Sequence, residues 1–156
     1  MTESEKTKQA GGLRFVHISD VPSKEVVAQM HGERRAGVHL QILEWSPARF
    51  VAHTRYDPGL ILARHAHKSA ALIFILDGEV QVGDRRCSPG TLIVLEKDVF
   101  FGPLIAGPEG CVLIETYGAD VTSVHEDDVD YKRFLAARGI TPVLRVSDAP
   151  PDLSVA

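Results

Sequence analysis

Two histidines separated by one residue, His65 and His67, close the stretch Gly59-Leu-Ile-Leu-Ala-Arg-His65-Ala-His67 and are followed by the apolar run Ala70 to Leu76. On a β-strand alternate side chains share a face, so the two imidazoles stand on one side about 7 Å apart along the strand. A single ion could bridge them, because neutral imidazole ligates zinc, iron, copper and nickel. The pair is half a site, however. Zinc enzymes usually supply three protein ligands, and mononuclear iron oxygenases often use two histidines and a carboxylate. A third ligand must then come from a neighbouring strand: His53 is the first candidate and His39 the second, with Glu115 or Glu96 as possible carboxylates. By residue type, each of these fits a structural or solvated role equally well.

Other reactive residues form no recognisable constellation. Cys87 and Cys111, the only cysteines, lie too far apart in sequence for a CxxC motif and read as two reduced thiols. Cys111 opens the apolar run Cys-Val-Leu-Ile114 and is a small core residue by pattern. Cys87 follows Arg85 and Arg86, whose charges could lower a thiol pKa on close approach. His17, His31 and His125 have no ligand spacing and read as surface histidines. Arg64 points away from His65 by strand parity, and Glu33-Arg34-Arg35 reads as a solvated charge run. No phosphate-binding glycine loop, nucleophile elbow or Ser/His/Asp spacing is present.

The elements that must position the histidine pair are short strands. Val38 to Trp45 and Arg49 to Tyr56 flank Ser46-Pro47 and are candidate hairpin partners. Ala71 to Leu76 and Glu79 to Val82 flank Asp77-Gly78, a dipeptide suited to a tight type I′ hairpin. Thr91 to Leu95 and Cys111 to Tyr117 are two more strands, the second reached through the loop-like Gly102-Pro-Leu-Ile-Ala-Gly-Pro-Glu-Gly110. Asp20 or Ser23 can start a short turn or helix around Val26-Val27. Asp127 or Asp128 can cap a helix running to Arg138, with Tyr131, Phe134 and Leu135 on one side and Gly139 at its end. Many short strands with frequent turns imply a sandwich or barrel. Residues 1–12 read as a flexible N-terminus, 13–140 as a single domain that includes the helix, and 141–156 as a C-terminal tail.

With 156 residues, 44% of them hydrophobic and 24% charged, the chain has the size and composition of one globular domain. A net charge of −4 argues against a surface built to neutralise phosphate, so nucleic acid is not an expected partner. No apolar stretch approaches the roughly 20 residues that span a bilayer, and the N-terminus is too polar for a secretion signal. A cytoplasmic protein without membrane attachment is expected.

The spacing of Gly59, His65, His67 and Gly78 resembles the first motif of the cupin superfamily, and Gly83, Pro89 and Gly90 before the strand at Thr91 resemble the second in outline. The resemblance covers roughly residues 38–118 and implies an all-β fold, a cupin-type antiparallel jelly-roll β-barrel, here with a short C-terminal helix. It also marks two departures. Ala71 stands where the family pattern places a glutamate, and Phe101 where it places a histidine. Ala71, Phe101, Ile73 and Tyr117 are thereby expected around the pocket, with Phe101 as an apolar wall or simply as core. Related cupins commonly pair, which implies a homodimer formed through edge strands or the N-terminal segment, since edge strands need cover.

Two functions remain open. In one, His65, His67 and one unconventional ligand such as His53 hold a divalent ion (iron, nickel, zinc or manganese). The protein is then a metal-dependent oxidoreductase, dioxygenase-like, acting on a small oxygenated organic substrate. In the other the metal site is degenerate and holds no ion. The protein then binds a small apolar ligand without catalysis, or serves as a structural or regulatory oligomer.

Overall fold

The computed structural model describes residues 12–125 and 128–146. A 3-10 turn at Ile18–Asp20 leads into strands β1 (Lys24–His31), β2 (Arg34–Trp45), β3 (Phe50–Tyr56), β4 (Ile61–Leu62), β5 (His65–His67), β6 (Ala71–Val82), β7 (Arg85–Cys87), β8 (Leu92–Leu95), β9 (Leu104–Tyr117) and β10 (Ser123–His125). Helix α1 (Asp128–Ala136) and strand β11 (Ile140–Arg145) complete the order. The main sheet runs β11-β1-β2-β3-β9-β6-β7, with β4 beside β9 and β8 beside β6, while β10 and β5 form a separate pair. All these pairings are antiparallel, and together they make the strand-rich jelly-roll fold expected from the motifs.

Alternation builds the core. Phe50, Ala52, Thr54 and Tyr56 of β3, Ala71, Ile73 and Ile75 of β6, and Leu113, Glu115 and Tyr117 of β9 point inward and are buried, and the residues between them face out. Turn chemistry ties the barrel together at Asp57. Its Oδ2 accepts from Gly37 N–H at 2.9 Å and from His39 Nε2 at 2.8 Å. Partial burial works against ionisation of this carboxyl, but the hydrogen bonds from His39 and Gly37 and the charges of His39 and Arg55 outweigh it and hold the pKa below the ordinary value. A lowered folded pKa means that the contribution is complete above the unfolded value of about 3.9 and is lost as pH falls through the folded one. Asp57→Asn should therefore be less stable than the parent protein at pH 7, with the difference shrinking below about pH 4; urea unfolding at both pH values checks this. An undiminished difference at pH 3 would deny the ion pair that role.

Four local expectations are corrected. Asp77-Gly78 is no hairpin: β6 runs through it, because β9 pairs with both halves, from Ala71↔Tyr117 to Val82↔Leu104, with register shifts on either side of the dipeptide. Gly78 has φ 67°, and a Cβ there would lie 2.1 Å from Gly110 O. Glycine is thus required by a bulge at a close backbone approach rather than by a turn. The two-residue turn falls at Gly83-Asp84, between the paired Val82 and Arg85, with φ 60° at Gly83. Likewise the loop expected over Gly102 to Gly110 lies largely within β9, although its ladder with β6 skips from Cys111 to Ala106. Val26-Val27 belong to β1 rather than to a helix, because β2 and β11 sandwich that strand. Residues 141–145, assigned to the tail, are part of β11, pairing Ile140 with His31 and Arg145 with Val27.

Cys87 is the reduced thiol expected. It is buried, and desolvation raises its pKa despite Arg85; burial pushes Cys111 up to about 12, with Cys87, Asp77 and Glu79 adding to the rise. Neither thiol is activated. The expected caps at Asp127, the N-terminal residues 1–11 and the tail from Ser147 lie outside the described residues. No helix among the described residues is long and apolar enough to cross a membrane.

Candidate functional site

Strand β5 places His65 and His67 on one face, as period-two alternation requires, with ring centroids 4.9 Å apart and edge to face. Backbone carbonyls fix both rings. His65 Nδ1 lies 2.7 Å from Ala63 O and His67 Nδ1 lies 3.2 Å from Val121 O. A carbonyl only accepts, so each Nδ1 carries a proton and each ring turns its Nε2 away from that carbonyl. Phe101 closes this end. Its backbone exchanges two hydrogen bonds with His65, and its ring lies 4.8 Å from that imidazole and 6.3 Å from His67.

A buried polar chain faces the pair. Tyr117, with its ring 4.5 Å from His67, donates to Glu115 Oε2 at 3.0 Å and places its hydroxyl 3.4 Å from His67 Nε2. Thr54 donates to the other oxygen, Oε1, at 2.8 Å. One carboxylate thus satisfies two inward hydroxyls from β3 and β9, which is what lets a charge sit 9% exposed inside the barrel. Burial, together with the charge of Glu115, pushes the nearby Tyr56 phenol well above its ordinary pKa.

These groups form one end of a cavity of about 660 Å³, within the size range of small-molecule sites. Its walls are apolar: Leu40, Ile42, Trp45, Phe50 and Ile73 line it beside Phe101. Lys24, Lys132 and Arg145, all exposed, also line it and give it a basic rim.

The expected pocket residues divide cleanly. Ile73, Phe101 and Tyr117 line the cavity; Ala71 is buried on β6 opposite Tyr117 and does not line it. His53 does not line it either. It alternates out of register with Thr54, and its Nδ1 meets Gln41 Oε1 at 2.9 Å. His39 is committed to Asp57, and Glu96 is exposed. Only Glu115 of the candidate carboxylates belongs to the site. His125 corrects the sequence reading: it is no surface histidine but lines the cavity, stacked on His65 at 5.4 Å and 24°. Its Nε2 meets the Ser123 hydroxyl at 3.2 Å and the Arg145 guanidinium. The signal was slight, a three-residue strand whose His125 falls opposite His65 in the ladder.

The donor set does not fit a metal centre of the usual kind. Among the described residues no three His, Cys, Asp or Glu side chains converge closely enough to hold an ion. Alanine and phenylalanine occupy the two positions where the motif would add ligands, and the one cavity carboxylate is engaged by Thr54 and Tyr117.

The sequence profile of the family described as the ChrR Cupin-like domain matches residues 23–119. No curated protein sequence matches the chain significantly. Among solved structures, an acetylacetone dioxygenase from Acinetobacter johnsonii superposes with TM-score 0.60 at 16% identity, over 78% of this chain and 83% of that one. The polyketide cyclase RemF from Streptomyces resistomycificus gives TM-score 0.58 at 18% identity, over 78% and 93% of the respective chains. The anti-sigma ChrR of Rhodobacter sphaeroides, in complex with SigE, gives 0.51 at 16% identity, over 65% of this chain and half of that one. A dioxygenase, a cyclase and a regulator share the fold, so the fold alone does not select among them.

Proposed function

Because the chain belongs to the ChrR cupin-like domain family, and with it to the cupins, we propose that it uses the barrel to bind a small, mostly apolar organic molecule through hydrogen bonds rather than through a metal ion. The observation that carries this reading is the pairing of an apolar 660 Å³ cavity with a polar end that holds His65, His67 and His125, where among the described residues no three ligating side chains converge on an ion. The imidazoles of His65 and His67 would hydrogen-bond a ligand hydroxyl or enol, and Tyr117 on Glu115 would complete the polar contact. Apolar walls would hold the body of the molecule. A ring or branched chain of modest size fits this division of surface.

One observation favours the metal-dependent, dioxygenase-like reading: carbonyl bonds at Nδ1 are also how proteins orient histidine ligands. It still requires a further ligand from outside the described set.

Trp45, the single tryptophan, lines the cavity and donates to Ala119 O at 3.4 Å, so its fluorescence reports occupancy. Titration with a panel of phenols and cyclic enols, in excess chelator, should produce a saturable change. Tyr117→Phe should weaken the best compound about fivefold, the worth of one neutral hydrogen bond. Binding that vanishes in chelator and returns with added metal would overturn the proposal, as would a panel that leaves Trp45 unchanged.

A further inference from the structure

The rim of the cavity carries charge of one sign. Among the described residues that line the cavity, Lys24, Lys132 and Arg145 are cationic and only Glu115 is anionic. Glu115 is buried inside the barrel, with its two oxygens engaged by Thr54 and Tyr117, and is no part of the exposed rim. The chain as a whole has the opposite bias, with 21 acidic residues against 17 basic ones. The stems of lysine and arginine can cover apolar surface, but three cations from three separate elements, β1, α1 and β11, also concentrate positive charge at one opening.

Two of these cations are placed to act together. Lys24 opens β1 opposite Leu40, a wall residue of the cavity, and forms no ion pair among the described residues. Arg145 ends β11 opposite Val27, three residues further along β1. Its guanidinium meets His125 Nε2, and His125 stacks on His65. Arg145 therefore links the rim to the polar end. A guanidinium carries five N–H donors, so the contact with His125 leaves others for an oxyanion. Exposed cations pair weakly in open water, but apolar walls behind them focus the field at a cleft and raise what an ion pair there is worth.

We infer that the ligand of the barrel is an amphiphilic organic acid, whose apolar body lies along the cavity, whose hydroxyl or enol reaches His65, His67 and Tyr117, and whose carboxylate stays at the rim with Lys24 and Arg145. The inference rests on the reading of the barrel as an organic-ligand site and adds the ligand's charge. A carboxylate matches the planar fork of Arg145, and at an exposed rim it keeps part of its hydration, which limits the desolvation cost. A neutral ligand of the same shape would leave the clustered cations uncompensated. A phosphate is the poorer candidate, because the sequence holds no glycine loop to cradle one.

The test uses a matched pair of probes, para-hydroxyphenylpropanoate and its primary amide, which share shape and hydroxyl and differ in charge. Calorimetric titration of the full chain, in excess chelator and at low salt, should show the acid bound about tenfold more tightly than the amide, the worth of one hydrogen bond to a charged group. That advantage should shrink as salt is added, and Lys24→Glu should abolish it. Lys24 is exposed, so the variant should fold, and unchanged circular dichroism confirms that. Equal affinities of acid and amide overturn the inference and leave the organic-ligand site standing. So does a preference for the acid that survives both Lys24→Glu and Arg145→Gln, because the anion then sits elsewhere. If neither probe binds while a plain phenol does, the inference fails alone; if no phenol binds at all, it falls together with the reading beneath it.

Discussion

Ala71→Glu combined with Phe101→His should turn the barrel into a metal site, raising affinity for ferrous, nickel or zinc ions on the order of a hundredfold, about 2.7 kcal/mol. The geometry behind this expectation is the backbone bridge between Phe101 and His65 and the short distance from the Phe101 ring to both imidazoles. An imidazole at position 101 would enter the cavity end where the rings of His65 and His67 already stand. Glutamate at 71 would bring a carboxylate from β6, at a position now buried to 3% exposure. Crowding there costs about 1–3 kcal/mol, so the folded fraction of the double variant must be measured alongside, and Phe101→His alone serves as the uncrowded comparison. Calorimetric titration reads the affinity. A folded double variant that binds no more tightly than its parent would show that His65 and His67 do not converge on a common point with positions 71 and 101.

Gly78→Ala should be among the most destabilising single substitutions in the chain, costing about 3 kcal/mol or more. The added Cβ would sit 2.1 Å from Gly110 O, and the residue would keep a φ of 67°. The conformation alone costs on the order of 1–2 kcal/mol for an L-residue, and the backbone contact forces β6 and β9 apart on top of that. Gly83→Ala, with a positive φ of 60° but only a 3.6 Å contact to Gly102 O, isolates the first effect and should cost about 1 kcal/mol. Urea unfolding of both variants separates the two contributions. Equal losses would mean that the strand crossing at Gly78 yields more readily than its packing indicates.

Those two glycines also show where the sequence was legible. Spacing located the barrel, the histidine pair and the Phe101 position, because alternation and motif register are local signals that the fold preserves. Asp77-Gly78 carries the same local signal as a hairpin turn. What decides its fate is β9, a strand about thirty residues further on that pairs across both halves of β6, and no local pattern contains that information. Cavity membership fails to show for the same reason. Glu115 was a candidate ligand, yet its engagement by Thr54 and Tyr117 depends on two strands meeting, and His125 enters only because β10 pairs with β5. His53 went the other way, since one residue of strand parity sends it to the outer face.

The central claim is that His65 and His67, with no third ligand converging among the described residues, make a hydrogen-bonding site rather than a metal site. Calorimetric titration of zinc or nickel into the chelator-treated, dialysed protein tests it most directly. The account predicts no stoichiometric ion in the barrel at micromolar concentration, with a Kd weaker than roughly 10 μM. One tightly held ion per chain, lost on His65→Ala or His67→Ala, would contradict it.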